Sequence, residues 1–148
     1  YNSQWNLISN PVSTSMDSVR QLYPASVNSH AYEFIPDTGY KQTYRMTNGS
    51  GYWIKFDASG TSAITGMPLE ADTINVKAGW NLIGSISVQV PVDAVKPINT
   101  NISSSFYGYE NGYVGASTIG PGKGYWVKVS NDGNLILSPA AINKQRRR

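Results

Sequence analysis

The clearest pattern in the chain is a strict alternation of side-chain character in two short segments. In residues 51–56, Tyr52, Ile54 and Phe56 fall on one face of an extended strand, and Trp53 and Lys55 on the other. Residues 124–129 repeat the pattern, with Tyr125, Val127 and Val129 on one face and Trp126 and Lys128 on the other. We therefore predict two equivalent strands, each packing its first face into an apolar core.

Short segments rich in Tyr, Trp, Val and Ile, separated by Gly, Pro, Asn or Asp, predict strands along most of the chain. They cover residues 4–9, 31–35, 40–46, 51–57, 61–65, 71–77, 79–86, 104–109, 112–117, 124–130 and 133–138. One short helix is expected within residues 16–23, capped by Ser13-Thr14-Ser15. Pro97 interrupts the matching later segment, which should hold only a turn or two. We predict an all-β fold of antiparallel sandwich or barrel-like units with one short helix.

The chain contains the same unit twice. Trp5-Asn6-Leu7-Ile8 returns as Trp80-Asn81-Leu82-Ile83, and Gly51-Tyr52-Trp53 returns as Gly124-Tyr125-Trp126, at offsets of 75 and 73 residues. Recurrence in a fixed order indicates an internal duplication. We predict a first β-unit over residues 1–66 and a second over 67–140, related by an approximate two-fold axis and followed by a basic tail, 141–148.

The duplication is incomplete at its start. A strand-like segment, residues 73–77, precedes Trp80, whereas only four residues precede Trp5. A missing neighbour leaves backbone donors and acceptors free for another chain. The expected open edge consists of Gln4, Trp5, Asn6, Leu7, Ile8 and Ser9. We expect self-association there, into a fibre or another oligomer; the alternative is that an upstream domain normally supplies the strand.

Composition limits the classes of partner. Hydrophobic residues make up 40% of the chain, enough to form a core, but charged residues only 14%, against roughly 25% in typical globular proteins. Lys144, Arg146, Arg147 and Arg148 are four of the twelve basic residues, which leaves eight against nine acidic residues in 1–143, a net charge of −1. A nearly neutral body does not suit phosphate neutralisation, so nucleic-acid binding is not expected.

Few residues are available for catalysis or metal binding. The chain has no cysteine and one histidine, His30, and its acidic residues do not cluster in sequence. No apolar segment approaches the length of a membrane span. We therefore expect no enzyme activity, no cofactor or metal, and no membrane-spanning segment.

Aromatic residues are the strongest remaining signal, with four Trp, ten Tyr and three Phe. Rigid rings beside amide and ammonium groups are typical of surfaces that hold sugars or protein partners. The candidate contacts are Trp53, Lys55, Trp126, Lys128, Tyr107, Tyr109 and Tyr113, and Tyr40 and Tyr44 are also expected at least partly exposed. The alternative, which we favour for the duplicated Trp5, Trp53, Trp80 and Trp126, is a structural role in the core.

The sequence "AGWNLIG" followed by "GPGKGYWVKV" resembles a repeat of exported multidomain bacterial proteins. The resemblance covers residues 77–138 well and residues 4–65 more loosely. It implies a secreted, all-β, non-enzymatic accessory or structural module, and it brings no catalytic or binding residues with it. We expect an extracellular or cell-surface structural or adhesion module. The alternative is a carbohydrate-binding module that holds a polysaccharide with exposed aromatic residues.

Overall fold

The computed structural model describes residues 1–139, and it has the all-β, antiparallel fold with one short helix that the sequence predicts. The tail at 141–148 and residue 140 lie outside the described residues. The strands are β1 (Gln4–Ser9), β2 (Val12–Ser13), β3 (Ala31–Ile35), β4 (Gly39–Thr43), β5 (Gly51–Phe56), β6 (Met67–Pro68), β7 (Asp72–Val76), β8 (Gly79–Ile83), β9 (Val90–Pro91), β10 (Lys96–Ile98), β11 (Phe106–Tyr109), β12 (Tyr113–Ala116), β13 (Thr118–Ile119), β14 (Tyr125–Val129) and β15 (Gly133–Leu137). The helix α1 is Val19–Leu22, and 3₁₀ turns occur at Val27–Ser29 and Val92–Ala94.

Two four-stranded antiparallel sheets carry the duplicated strands. Their strand orders are β1-β5-β3-β4 and β12-β11-β14-β8. In each sheet the Trp-Asn-Leu-Ile strand pairs with the Gly-Tyr-Trp strand, so that Leu7 lies opposite Trp53 and Leu82 opposite Trp126. The repeated residues therefore occupy equivalent places in equivalent sheets.

The second unit is a small sandwich. Tyr125, Val127 and Val129 are buried, as predicted from the alternation. They share one apolar cluster with Leu135 and Leu137, which lie on the three-stranded sheet β10-β15-β7. The core of this unit therefore lies between a four-stranded and a three-stranded sheet.

The core of the first unit is covered in another way. Tyr52, Ile54 and Phe56 are buried, again as predicted. The helix α1 adds Val19 and Leu22 to the same cluster, and the ring of Tyr1 stacks on Phe56 with centroids 3.7 Å apart. A short helix and one aromatic ring thus take part in covering this core.

The strand predicted at residues 61–65 is wrong, because these residues form no strand. Their counterpart β15 is hydrogen-bonded by β10 on one side and β7 on the other. In the first unit, Gly60 exchanges two backbone hydrogen bonds with Tyr1, at 2.8 and 3.1 Å. A strand exists only where its backbone finds a partner. The other predicted strands are present, with ends that differ by at most about three residues.

The predicted helix is shorter and begins later than expected, and the predicted cap at Ser13-Thr14-Ser15 is wrong. Val12–Ser13 is extended and pairs with Met67–Pro68, which places the helix start further along the chain. The cap is Ser18, whose Oγ accepts a hydrogen bond from the backbone N–H of Gln21 at 3.1 Å. In the later segment a single 3₁₀ turn precedes β10, in agreement with the effect expected of Pro97.

The two units meet through equivalent backbone contacts. The N–H of Ser9 donates to the carbonyl of Gly122 at 2.9 Å, and the N–H of Gly84 donates to the carbonyl of Gly49 at 3.0 Å. An isolated bridge joins Ile8 to Lys123, and its equivalent joins Ile83 to Ser50. Partners in each pair of contacts are related by the offsets of the repeated motifs, so the contacts follow an approximate two-fold axis.

These contacts explain the glycine that opens each Gly-Tyr-Trp strand. A Cβ atom at Gly51 would lie 2.7 Å from the carbonyl oxygen of Ile83. A Cβ atom at Gly124 would lie 3.1 Å from the carbonyl oxygen of Ile8 and 3.2 Å from the Cα atom of Gly51. A Cβ atom at Gly51 would therefore clash with the backbone of the other unit, and one at Gly124 would require its neighbours to shift by a few tenths of an ångström.

The repeated asparagine holds the turn that precedes its strand. The side chain of Asn6 accepts from the N–H of Asn2 at 2.9 Å and donates to the carbonyl of Asn2 at 2.7 Å. Asn81 makes the same pair of bonds with Lys77, at 3.0 and 2.7 Å. Both carboxamides are buried. Asparagine is thus repeated because it satisfies the backbone of a tight turn at both places.

Candidate functional site

The outer surfaces of the two four-stranded sheets are covered by aromatic rings. Alternation along each strand directs them away from the cores that Tyr52 and Tyr125 enter. We call this surface the aromatic face. Its residues are Trp5, Tyr32, Phe34, Tyr40, Trp53, Trp80, Tyr107, Tyr109, Tyr113 and Trp126.

The second unit provides most of one open cleft on this face. We call it the second cleft, after the second unit. It has a volume of about 540 Å³ and is lined by Phe34, Trp80, Tyr107, Tyr113 and Trp126. Phe34 meets Trp126 edge to face, with ring centroids 4.9 Å apart. The rings of Trp80 and Tyr107 are 6.2 Å apart and tilted by 53°. The rings thus form the walls of a cleft rather than a single flat surface.

The first unit provides the matching cleft. This first cleft has a volume of about 460 Å³ and is lined by Trp5, Tyr32, Tyr40, Trp53, Tyr109 and Tyr113. Trp53 meets Tyr109 edge to face at 4.9 Å, the same separation as between Phe34 and Trp126. Tyr113 lines both clefts, so the two share a wall.

Each cleft takes one ring from the other unit. Phe34 and Tyr109 are equivalent positions, 75 residues apart. Phe34 lies on β3 of the first unit and packs on Trp126 of the second, whereas Tyr109 lies on β11 of the second and packs on Trp53 of the first. Neither cleft is complete without both units, so the exchange of rings makes the aromatic face one surface.

Polar groups lie among and beside the rings. The Nε1 atom of Trp126 is buried and has no hydrogen-bond acceptor of suitable geometry within residues 1–139. Desolvation against the neighbouring rings raises the pKa of Tyr113, and the phenols of Tyr40 and Tyr109 raise this pKa further. The side chain of Trp126 lowers the pKa in part. The Tyr113 phenol is therefore neutral, with an O–H to donate, throughout the physiological pH range.

The two candidate lysines flank the tryptophans at the ends of the face. Lys55 lies directly opposite Trp5 on the neighbouring strand, and Lys128 lies directly opposite Trp80. Paired residues on neighbouring antiparallel strands share a face of the sheet. Within the described residues, no charged side chain lines either cleft itself. The cations therefore stand beside the clefts.

The sequence was misleading on the tryptophans, which we expected in the cores. Trp5 and Trp80 are 40% and 42% exposed, and Trp53 and Trp126 are half-buried on the aromatic face. Tyr40 and Tyr113 are exposed, and Tyr107 and Tyr109 are half-buried. The structure brings together all the candidate rings, Trp53, Tyr107, Tyr109, Tyr113 and Trp126.

Sequence reasoning did not include Trp5, Tyr32, Phe34 or Trp80 among the candidate contacts. The available signal was periodicity, because Tyr32 and Phe34 alternate along one strand as Tyr107 and Tyr109 do along another. Tyr44 is exposed, as expected, but it does not line either cleft. It stands beside His30, with ring centroids 6.1 Å apart.

His30 has a local partner. Its Nε2 atom lies 3.2 Å from the phenol oxygen of Tyr32, and its ring contacts Tyr32 and Tyr44 edge to face. Over residues 1–139, no group of three His, Cys, Asp or Glu side chains is placed to hold a metal ion. In the same residues, no helix is long and apolar enough to cross a membrane.

The edge expected at Gln4–Ser9 is open only in part. Leu7 accepts a backbone hydrogen bond from Gly124 at 3.0 Å, and Ser9 donates one to Gly122 at 2.9 Å. The outer side of β1 from Leu7 to Ser9 is thus occupied by the second unit, and the expectation of an open edge does not hold there. Nearer the start of β1, the carboxamide of Asn6 is hydrogen-bonded to the backbone of Asn2 and to the carbonyl of Gln4.

No family model matches the chain, and neither a curated protein nor a solved structure shows significant similarity to it.

Proposed function

We propose that this chain is a non-catalytic extracellular binding module that holds a neutral glycan in its two aromatic clefts. The observation that carries the proposal is the aromatic face itself, with its two equivalent clefts. Large contiguous apolar patches are rare on soluble proteins unless something binds them. A role in adhesion, or as the binding part of a larger structural assembly, follows from the same surface.

The chemistry of the clefts favours a sugar. A pyranose ring presents apolar C–H groups on its faces and hydroxyl groups at its rim. Indole and phenol rings can pack against the C–H faces, while the phenol groups can exchange hydrogen bonds with the hydroxyls. Among residues 1–139, no charged residue lines either cleft, and this supports a neutral ligand.

The absence of catalysis is part of the proposal. It is supported by the local pairing of His30 with Tyr32 and by the lack of His, Asp or Glu side chains among the described residues that line the two clefts. Each polysaccharide that binds should therefore remain intact after long incubation, as judged by its chain length. Hydrolysis that His30→Ala abolishes would contradict a purely binding role.

The test is a titration of tryptophan fluorescence with soluble neutral polysaccharides, including β-glucans, xylan and mannan. We expect at least one to bind, and we expect Trp126→Ala and Trp53→Ala each to weaken binding by at least about tenfold, the effect of losing one aromatic anchor. Tyr44→Ala is the matched control, because Tyr44 is exposed but lines neither cleft. Circular dichroism confirms that each variant is folded.

Two results would overturn the proposal. One is that no neutral polysaccharide binds at any concentration tested. The other is that only acidic polysaccharides bind and that Lys55→Ala and Lys128→Ala, but not the tryptophan variants, abolish binding. A protein partner for the same face remains the rival, and it predicts that soluble glycans do not compete with that partner.

A further inference from the structure

The two aromatic clefts are built from equivalent residues. Each of the five residues that line the second cleft has an equivalent in the first cleft, at an offset of 75 or 73 residues. The pairs are Trp80 with Trp5, Tyr107 with Tyr32, Tyr109 with Phe34, Tyr113 with Tyr40, and Trp126 with Trp53. Strand pairing supports the equivalence, because Tyr107 lies opposite Trp126. In the same way, Tyr32 lies opposite Trp53. The clefts are therefore two copies of one site.

The two copies are related by a rotation that keeps the aromatic face in place. Phe34 of the first unit packs on Trp126 of the second, and Tyr109 of the second packs on Trp53 of the first. Contacts exchanged in both directions are those of a two-fold axis. A two-fold rotation returns a surface to itself only when the axis is perpendicular to that surface. Such a rotation reverses every direction within the face, so the two clefts run in opposite directions.

This reversal limits how a glycan chain can occupy both clefts. A glycan chain has a direction, because its reducing end differs from its non-reducing end. If a chain runs from Trp80 towards Trp126 in the second cleft, an equivalently bound chain runs from Trp5 towards Trp53 in the first, in the opposite direction. A single straight chain can satisfy only one of them. Resting on the proposed function, we propose that the clefts hold two separate neutral glycan chains in antiparallel orientation, so that the module cross-links polysaccharide.

Each cleft is sufficient as a separate site. Their volumes of about 540 and 460 Å³ both lie within the range of about 300–1,000 Å³ that is usual for ligand sites. Each has two tryptophans that do not line the other, Trp80 and Trp126 in the second cleft and Trp5 and Trp53 in the first. Among residues 1–139, only Tyr113 lines both clefts. Occupation of one cleft therefore leaves the tryptophans of the other free for a second chain.

The first test is the number of short ligands that one protein molecule binds. Isothermal titration calorimetry uses the shortest binding oligosaccharide, prepared from the polysaccharide that the protein binds. We expect two oligosaccharides per protein molecule. Trp5→Ala and Trp80→Ala should each bind one, because each weakens a single cleft by at least about tenfold. These side chains are 40% and 42% exposed, so their loss leaves the cores intact. The control Tyr44→Ala should still bind two.

The second test is cross-linking of the intact polysaccharide, followed by dynamic light scattering. The unchanged protein should increase the particle size of the polysaccharide, and a large excess of protein should reduce it again, because each glycan site is then occupied by a different molecule. Excess oligosaccharide should also disperse the particles. Trp5→Ala and Trp80→Ala should bind the polysaccharide more weakly, through the remaining cleft alone, and should not increase the particle size.

The third test is the direction of each bound chain. The oligosaccharide carries a nitroxide spin label at its reducing end, and the protein is labelled with 5-fluorotryptophan. Antiparallel binding predicts that the spin label broadens two equivalent fluorine resonances most strongly, either those of Trp5 and Trp80 or those of Trp53 and Trp126. Parallel binding predicts the strongest broadening at one tryptophan from each pair, such as Trp5 and Trp126.

Three results would overturn this inference and leave the proposed function intact. The first is one oligosaccharide per protein molecule, with binding lost in both Trp5→Ala and Trp80→Ala, which would mean that one glycan chain spans both clefts. The second is binding of two oligosaccharides without any increase in the particle size of the polysaccharide. The third is the broadening pattern of parallel chains. If no neutral polysaccharide binds at all, the proposed function is wrong and this inference is wrong with it.

Discussion

The two units share the sheet that carries the aromatic rings and differ in what lies behind it. Behind the second sheet stands the three-stranded sheet β10-β15-β7, whereas α1 and Tyr1 cover much of the first core. The repeated residues include those that form the aromatic face, the turn bonds and the contacts between units, together with the core residues on the inner side of each sheet. The aromatic face and the contacts between the units are thus alike in the two units, whereas the elements that cover the inner side of each four-stranded sheet differ.

The largest difference should appear when equivalent residues behind the two sheets are shortened. Leu137 is fully buried, and its counterpart Ile64 is only half-buried at the margin of the first core. Leu137→Ala should lower the free energy of unfolding by about 2–5 kcal/mol. Ile64→Ala should lower it by about 1 kcal/mol. Urea denaturation measures both, and equal losses would mean that the first unit has a second layer like that of the second.

The glycine contact between the units should be the next most sensitive. Gly51→Ala forces a Cβ atom against the carbonyl of Ile83, and we expect it to cost about 1–3 kcal/mol through displacement of the two backbones. Gly115→Ala is the control, because a Cβ atom there meets nothing within 4 Å. If both variants were equally stable in thermal denaturation, the close approach of the units would not exist in solution.

The turn bonds should behave alike in the two units. Asn6→Ala and Asn81→Ala each remove a buried carboxamide that bonds the backbone on both sides of a turn. Each should cost about 1–3 kcal/mol, because backbone groups are left without partners. Denaturant unfolding of the two variants, with the exposed strand residue Asn75→Ala as control, measures the costs. A large loss at Asn81 with none at Asn6 would break the equivalence of the two turns.

The smallest expected effect is a gain in stability. Gln4 and Gly79 occupy equivalent positions, and their φ angles are +72° and +99°. A left-handed backbone costs a residue with a side chain about 1–2 kcal/mol, and glycine avoids this cost. Part of the gain is offset, because glycine also gives the unfolded chain more conformational entropy. Gln4→Gly should therefore stabilise the chain by about 0.5–1 kcal/mol. Thermal denaturation tests this, and a destabilised variant would show that the Gln4 side chain has a compensating contact.

Periodicity predicted most of the longer strands and the cores, although residues 61–65 form no strand and the short strands β2, β6, β9, β10 and β13 were not predicted. The alternation in residues 51–56 and 124–129 correctly identified Tyr52 and Tyr125 as core positions. It did not show whether Trp53 and Trp126 face solvent or a second layer, because bulky residues occupy both faces of each strand. That choice depends on what packs against the outer face, which is a tertiary property.

Other features could not be read from local sequence. Phe34 and Tyr109 each line the cleft of the opposite unit, and this depends on how the two units pack together. No residue spacing within one unit encodes that packing. The segment at residues 61–65 has a sequence that allows a strand, but it pairs with no strand in the part of the chain that the structure describes. The helix cap at Ser18 was missed because Val12–Ser13 is held extended by Met67–Pro68.

The most direct test of the shared aromatic face is fluorine NMR of the protein labelled with 5-fluorotryptophan, during titration with the polysaccharide that binds most tightly. Phe34→Ala alters the wall beside Trp126, and Tyr109→Ala alters the wall beside Trp53. We predict that Phe34→Ala abolishes the ligand-induced shift of Trp126 and leaves that of Trp53, and that Tyr109→Ala does the reverse. If each variant affected only the tryptophan of its own unit, or if no polysaccharide shifted either resonance, the two units would not build a common binding surface.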